Sequence, residues 1–271
     1  MKINNIKELS IQINLNGLSF CILNKTQNTI EFLKMIPFEQ KQTPDEVLCH
    51  LKTELSSNIV FSDDFNAVYV IHQNELSTLV PEELYDASHK ADYLKFNSKI
   101  LRNDFITEDE IPFNKSVNVY VPYVNINNYI FDTFGEFEYK HSSSILIDSI
   151  LQNVKAEETP IVFININKTT VELLVVENNK IQLFNVFEYH SKEDFLYYIL
   201  FVFEQLKLDT ETTPIELSGN IELEDELYNL LYNYVRYVNF INKKYPFSIA
   251  DSIDKNNLYQ YFLILNSFEC E

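Results

Sequence analysis

Three short polar runs, each at the end of an apolar stretch, are the first to weigh. Asn14 and Asn16 precede Gly17, Asn165 and Asn167 precede Lys168 and Thr169, and Ser218-Gly219-Asn220 follows the apolar-flanked Ile215-Glu216-Leu217. Lys168 reads first as a solvated turn lysine, and it could contact a phosphate as a point charge. Ser218-Gly219-Asn220 is also an ordinary turn after a strand. The chain has three glycines, Gly17, Gly135 and Gly219, all far apart. A Walker loop needs two glycines in one short motif and a dinucleotide fingerprint needs three, so both are excluded. The five histidines, His50, His72, His89, His141 and His190, show neither i,i+4 pairing nor an H-E-x-x-H frame, and no metal site is expected. His141 is followed by Ser142-Ser143-Ser144, but no G-x-S-x-G elbow accompanies it, so the serines read as a helix N-cap before Ile145. The acidic run Glu222, Glu224, Asp225, Glu226 reads as the first turn of a helix, complementing its dipole. Thr107-Glu108-Asp109-Glu110 reads as polar loop. No catalytic residue is nominated.

The elements around these runs come in two similar sets. A shift of 151 residues carries Ile13-Asn14-Leu15-Asn16 onto Ile164-Asn165-Ile166-Asn167, Phe20 onto Val171, Ile22 onto Leu173, and Leu51 onto Val202, with no gap. In the first set, strands are expected over 9–15, 18–23 and 29–36, with Asn16-Gly17 as a positive-φ hairpin turn. Thr43-Pro44-Asp45-Glu46 opens a helix carrying Val47, Leu51 and Leu55. A strand over 67–71, a helix over 84–96, a strand over 117–124 and a helix over 127–134 closed by Gly135 follow. The second set predicts strands over 161–166, 169–176 and 181–187. A helix capped by Ser191 runs to 208, followed by a strand over 213–217, a helix over 222–234, a strand over 235–241 and a closing helix over 256–268. The expected domains are 1–145 and 146–271.

Composition narrows the function classes. Of 271 residues, 40 are acidic and 21 basic, a formal net charge of -19. Nucleic-acid binding relies on cations displacing counterions from phosphates, and the best basic cluster is only Lys243-Lys244, so nucleic acid is not an expected partner. The apolar run from Phe195 to Phe203 is far short of the ~20 residues a membrane span needs. Cys21, Cys49 and Cys270 form no CxxC pair, which fits a reducing compartment. The N-terminus lacks an apolar signal region, and a cytoplasmic location is expected. Tyr228, Tyr232, Tyr234, Tyr237, Tyr259 and Tyr261 cluster in the last third and suggest a surface for a protein partner or a second copy.

The order of elements, used twice, resembles the paired ribonuclease-H-like domains of the actin, Hsp70 and sugar-kinase superfamily. Within it the chain looks like a little-characterised bacterial family, known mainly from Bacteroidetes, with an actin-like ATPase fold and no assigned activity. The resemblance implies an α/β protein of two tandem ribonuclease-H-like domains, each a mixed five-stranded sheet with flanking helices. In active members the first hairpin of each half carries an Asp and a Gly. Here those positions hold Asn14 and Asn16, with Gly17 one residue later, and Asn165 and Asn167, followed by Lys168 and Thr169. The adenosine-approaching Ser-Gly-Gly run is matched by Ser218-Gly219-Asn220, its second Gly replaced.

The replacements bear on metal binding. Hard divalent cations want charged oxygen ligands, and Asn keeps the shape of Asp without the charge. Removing a unit charge ~4 Å from a cation forfeits roughly 4 kcal/mol per elementary charge at an effective dielectric near 20, and about twice that for a divalent ion. Asn in place of Gly also puts a side chain where backbone should approach phosphate. The expectation is a non-catalytic, cytoplasmic protein-binding or scaffold module with no required cofactor. The alternative is a nucleotide-dependent enzyme or switch that keeps residual ATP binding through Gly219 and Lys168.

Overall fold

The computed structural model describes residues 5–96, 98–153 and 159–269. The chain divides into two compact units, one of Met1–Asp148 with Tyr245–Ile253 and Leu263–Glu271, the other of Ser149–Lys244 with Asp254–Phe262.

The first unit opens with the expected meander, β1 (Lys7–Asn14), β2 (Gly17–Asn24) and β3 (Thr29–Pro37). α1 (Pro44–Ser57) starts at a capping box, in which the Glu46 amide donates to the Thr43 hydroxyl and the Thr43 amide donates to the Glu46 carboxylate. Its buried stripe Val47, Leu51 and Leu55 packs on Leu9, Ile11, Ile13 and Phe20 of the sheet. β4 (Ala67–Gln73) lies parallel to β1, with Gln73 opposite Asn14. β5 (Ser77–Pro81), α2 (Lys90–Lys95), β6 (Thr107–Ile111) and β7 (Ser116–Tyr120) come next. The three strands form a small separate sheet in the order β5-β7-β6, over its own core of Val80, Leu94, Val117 and Val119. α3 (Val124–Phe134), β8 (Glu138–His141) and α4 (Ser142–Asn153) complete this part.

Three expectations fail here for local reasons. The helix over 84–96 shrinks to α2, because the Asp86 carboxylate accepts the Ser88 amide and hydroxyl, and the Tyr93 hydroxyl accepts the Asp86 amide while donating to the Leu84 carbonyl. The acidic run at 107–110 is a strand, its alternation hidden in the sequence because a carboxylate, Asp109, fills one of the buried positions beside Ile111. The strand expected over 117–124 is β7 and belongs to the small sheet, while the fifth strand of the main sheet is β8, which pairs with β4.

The second unit holds β9 (Ile161–Ile166), β10 (Thr170–Glu177), β11 (Lys180–Glu188), α5 (Lys192–Gln205), β12 (Ile215–Gly219), α6 (Glu226–Tyr232) and β13 (Val238–Phe240). Its five-stranded sheet runs β11-β10-β9-β12-β13, and the first unit's main sheet runs β3-β2-β1-β4-β8, the same path through the corresponding strands. β14 (Ser248–Ile249) adds a sixth strand beside β3 in the first unit, and α7 (Phe262–Asn266) is a short helix after a 3-10 turn at 258–261, not one helix over 256–268. α5 stops at Gln205 rather than 208. α6 begins at Glu226 rather than 222, because the Asp225 carboxylate accepts the Glu222 amide and Glu224 takes a φ of 73°.

The hairpins correct two further expectations. Leu15 and Asn16 form the first turn, and positive φ is found instead at Asn28, 51°, in the β2–β3 turn and at Asn178 and Asn179, 51° and 59°, in the β10–β11 turn. Gly17 is fixed by a close approach, since a Cβ there would sit 2.9 Å from the Ile36 carbonyl oxygen. Ile13 faces Leu18 across the first hairpin, whereas Ile164 faces Leu173 across the second. The second hairpin is therefore longer, and the ungapped 151-residue shift slips after its first strand.

Candidate functional site

In the first unit the nominated residues sit at the end of β1. The Asn14 carboxamide oxygen accepts the Asn16 amide at 2.7 Å, and its Nδ2 points to the Gln73 carbonyl at 3.5 Å. The Asn16 carbonyl accepts the Phe38 amide at 2.8 Å. Gln73, buried at the end of β4, accepts from Gln12 Nε2 at 2.9 Å. The side chains of Gln12, Asn14 and Gln73 are amides, so they bring dipoles and no formal charge, and the nearest charges past the end of β4 are Glu75 and its partner Lys41.

In the second unit, parallel pairing of β9 and β12 brings two of the nominated runs together. Ser218 lies opposite Asn165 and Gly219 opposite Ile166. The Ser218 hydroxyl donates to Asn165 Oδ1 at 3.1 Å, and Asn165 Nδ2 donates to the Glu172 carboxylate at 2.5 Å. Asn165, Glu172 and Ser218 are all buried. Gly219 has φ of 86°, and a Cβ there would lie 2.2 Å from the Ile166 carbonyl oxygen. The Asn220 amide donates to that same carbonyl at 2.6 Å. Thus the positive-φ glycine is required by packing against the neighbouring strand. Asn167 closes the β9–β10 hairpin, its amide donating to the Thr170 carbonyl and its carbonyl accepting the Tyr189 hydroxyl at 2.6 Å. Lys168 and Thr169 form the turn, and the Thr169 carbonyl accepts the Tyr189 amide.

Sequence reasoning missed Glu172 and Gln73. Glu172 faces Asn165 only through the register of the longer hairpin, so no linear spacing reveals it. Gln73 stands opposite Asn14 as Ser218 stands opposite Asn165, which makes Gln73-Asn74-Glu75 the first-unit counterpart of Ser218-Gly219-Asn220. The signal available was that Gln73 ends the strand after the helix.

The first unit also buries a titratable cluster that the sequence assigned to a loop and a cap. Asp109 Oδ2 accepts the Ser144 hydroxyl at 2.6 Å and the His141 amide at 2.7 Å, and Oδ1 accepts the Tyr120 hydroxyl at 3.0 Å. Burial pushes the Asp109 carboxyl up to about 6 against these three donors. His141 accepts the Ser143 amide through Nδ1 at 3.2 Å, which puts the neutral ring's proton on Nε2, and burial pushes its pKa down to about 3. Its strand neighbour His72 accepts the Tyr123 amide and donates to Asn127 Oδ1 at 2.8 Å, and burial pushes it down to about 4. Asp109 meets the His141 backbone and not the ring, and Ser142–Ser144 are the first, buried turn of α4. The group ties β6 to the start of α4; it is not an exposed nucleophile with a base. Among the described residues, no group of three or more His, Cys, Asp or Glu could hold a metal ion. Among them also, no helix is long and apolar enough to cross a membrane.

A family model described as "Protein of unknown function (DUF3822)" matches residues 1–238. No curated protein matches the sequence. Among solved structures, a Bacteroides thetaiotaomicron protein with an actin-like ATPase fold and unknown function is similar with a TM-score of 0.79 at 19% identity, covering 98% of this chain and 97% of that one. A chain of the PilM–PilN type IV pilus biogenesis complex is similar with a TM-score of 0.64 at 9% identity, covering 98% of each. At these identities the likeness concerns the fold. It is an actin-like ATPase fold, with the two ribonuclease-H-like sheets that the resemblance implied.

Proposed function

We infer from two facts, that the chain belongs to the DUF3822 family and that it has an actin-like ATPase fold, that it is a non-catalytic protein-binding or scaffold module of the cytoplasm. The observation that carries this reading is the state of Asn165. The resemblance puts it where active members carry a metal-holding Asp, and here it is 2% exposed and engaged between Ser218 and Glu172. Asn14, its counterpart, accepts the amide of its own turn. Neither offers a charged oxygen to a hydrated magnesium ion. Gly219 is held by a close contact with the neighbouring strand. A fold kept intact while its metal-holding positions are neutral and internally bonded fits a protein that uses its surface. The solved PilM–PilN complex offers a precedent for a similar chain in a protein assembly.

Calorimetric titration with ATP and Mg²⁺ tests the reading. The expected result is no binding heat and an unmoved melting temperature at millimolar ATP. A micromolar Kd would instead stabilise the fold by about 4 kcal/mol at a thousandfold excess over Kd, and that result overturns the reading in favour of a nucleotide-dependent switch.

A further inference from the structure

β11 is an edge strand of nine residues, and no other described strand pairs with its outer side. The corresponding edge of the first unit, β3, is covered at Thr29 and Ile30 by β14. Long uncovered edges are normally blunted by a central lysine, a proline, a bulge or a short length. β11 is long and has neither proline nor a central lysine, and its one irregularity is a register shift against β10 that leaves Gln182 unpaired near one end. Ile181, Leu183, Phe184, Val186 and Phe187 are apolar and only half-buried, and the charged residues stand at the two ends, Lys180 and Glu188, both exposed.

The patch continues from the strand onto α5. Phe187 stacks on Tyr198 with ring centroids 4.7 Å apart, Tyr198 meets Tyr197 at 5.5 Å, and Tyr197 stacks on Phe201 at 5.9 Å. Tyr197 is 61% and Phe201 40% exposed. Rigid aromatic rings beside an unpaired edge are the composition of an interface rather than of ordinary solvated surface.

The end charges decide which occupant fits. If two copies of β11 pair antiparallel about a two-fold axis at Phe184, the residue count sets Lys180 of each copy opposite Glu188 of the other and Ile181 opposite Phe187, both pairs lying beyond the irregularity at Gln182. The charge pairs form twice, because a two-fold contact is self-complementary. Directly opposite unlike charges stabilise a strand pair and like charges oppose it. We propose that β11 is a homodimerisation edge, joining the five-stranded sheets of two copies into one ten-stranded sheet with the Tyr197 and Phe201 stripes alongside. The proposal rests on the edge strand and not on the state of the nucleotide positions.

Sedimentation equilibrium on the full chain tests it, with K180E, E188K, and the combined K180E/E188K chain. All changed positions are exposed, and circular dichroism checks that each variant is folded. Wild type is expected to approach twice the 32.0 kDa chain mass. Each single reversal creates two like-charge pairs and is expected to weaken association at least tenfold, about 1.4 kcal/mol. The combined swap is expected to recover it, and Y197S/F201S to weaken it as the single reversals do. A wild-type chain that stays monomeric at about 100 µM overturns the proposal. So does association that ignores both single reversals, or a folded combined variant that fails to recover.

Discussion

His72 and His141 face each other across β4 and β8 with their rings buried, and acid is expected to act on the first unit through them. Burial holds His72 at about 4 and His141 at about 3, against an ordinary value near 6.5. The unfolded chain therefore takes up protons first as pH falls. Stability is complete above pH ~6.5 and is lost through the window down to the folded values. At pH 5 each imidazole removes about 2 kcal/mol, so the pair removes about 4. Asp109 works the other way. Its buried carboxyl, up near 6, holds its proton more tightly folded than unfolded, and it returns about 1 kcal/mol over the same interval. The net loss from these three groups between pH 7.5 and pH 5 is about 3 kcal/mol. Other carboxylates also titrate, and a difference between proteins removes them. His141→Gln should lose about 2 kcal/mol less than wild type over that interval, measured as urea unfolding of β4 and β8 by hydrogen exchange, which resolves the first unit in a two-unit chain. The ring proton resonances of His72 and His141 in the wild-type protein should hold their neutral positions down to pH 5. Resonances that titrate above pH 5.5, or equal pH dependence in wild type and variant, refute the argument.

Gly219→Ala puts a methyl 2.2 Å from the Ile166 carbonyl at a φ of 86°, so it should lower the stability of the second unit by roughly 1–3 kcal/mol in thermal unfolding; a loss under about half that range would show the strand contact to be slack. Asn165→Asp places a second carboxylate against Glu172 in a buried site. It should destabilise the second unit by about 3 kcal/mol at pH 8 and by less at pH 5, where one of the pair is protonated. A variant as stable as wild type at pH 8 would show that Asn165 is not the neutral member of that pair.

The parts legible in the sequence are those where side-chain pattern and fold agree. The meander β1 to β3 shows alternating apolar residues, and α1 announces itself through Thr43, Pro44 and Glu46. β8 was hidden because Glu138-Tyr139-Lys140-His141 has no apolar alternation, and its place in the sheet comes from β4 beside it. β6 was hidden because one of its buried positions is a carboxylate, made tolerable by Ser144, Tyr120 and the His141 amide, none of them near it in sequence. The Asn14 and Asn165 positions could be placed from the resemblance, but their neutral bonding could not. Glu172 reaches Asn165 through cross-strand register, a property of the folded sheet. The ungapped shift misled in the same way, since the β9–β10 hairpin lengthens without any mark in the apolar pattern.

The first unit contains pieces from both ends of the chain. Ser267 donates to Ser10 at 2.7 Å, and Ser248 bonds to the Asn28 carbonyl and to Thr29 across more than two hundred intervening positions. Phe268 meets Tyr69 edge-on, with ring centroids 5.8 Å apart. During synthesis, the ribosome must make almost the whole second unit before these partners exist. At ~5–20 residues per second, roughly 100 intervening residues cost about 5–20 s. Throughout that delay the nascent N-terminal sheet offers β3 and the Ser10 face without their final cover, and a chaperone would have its opportunity then.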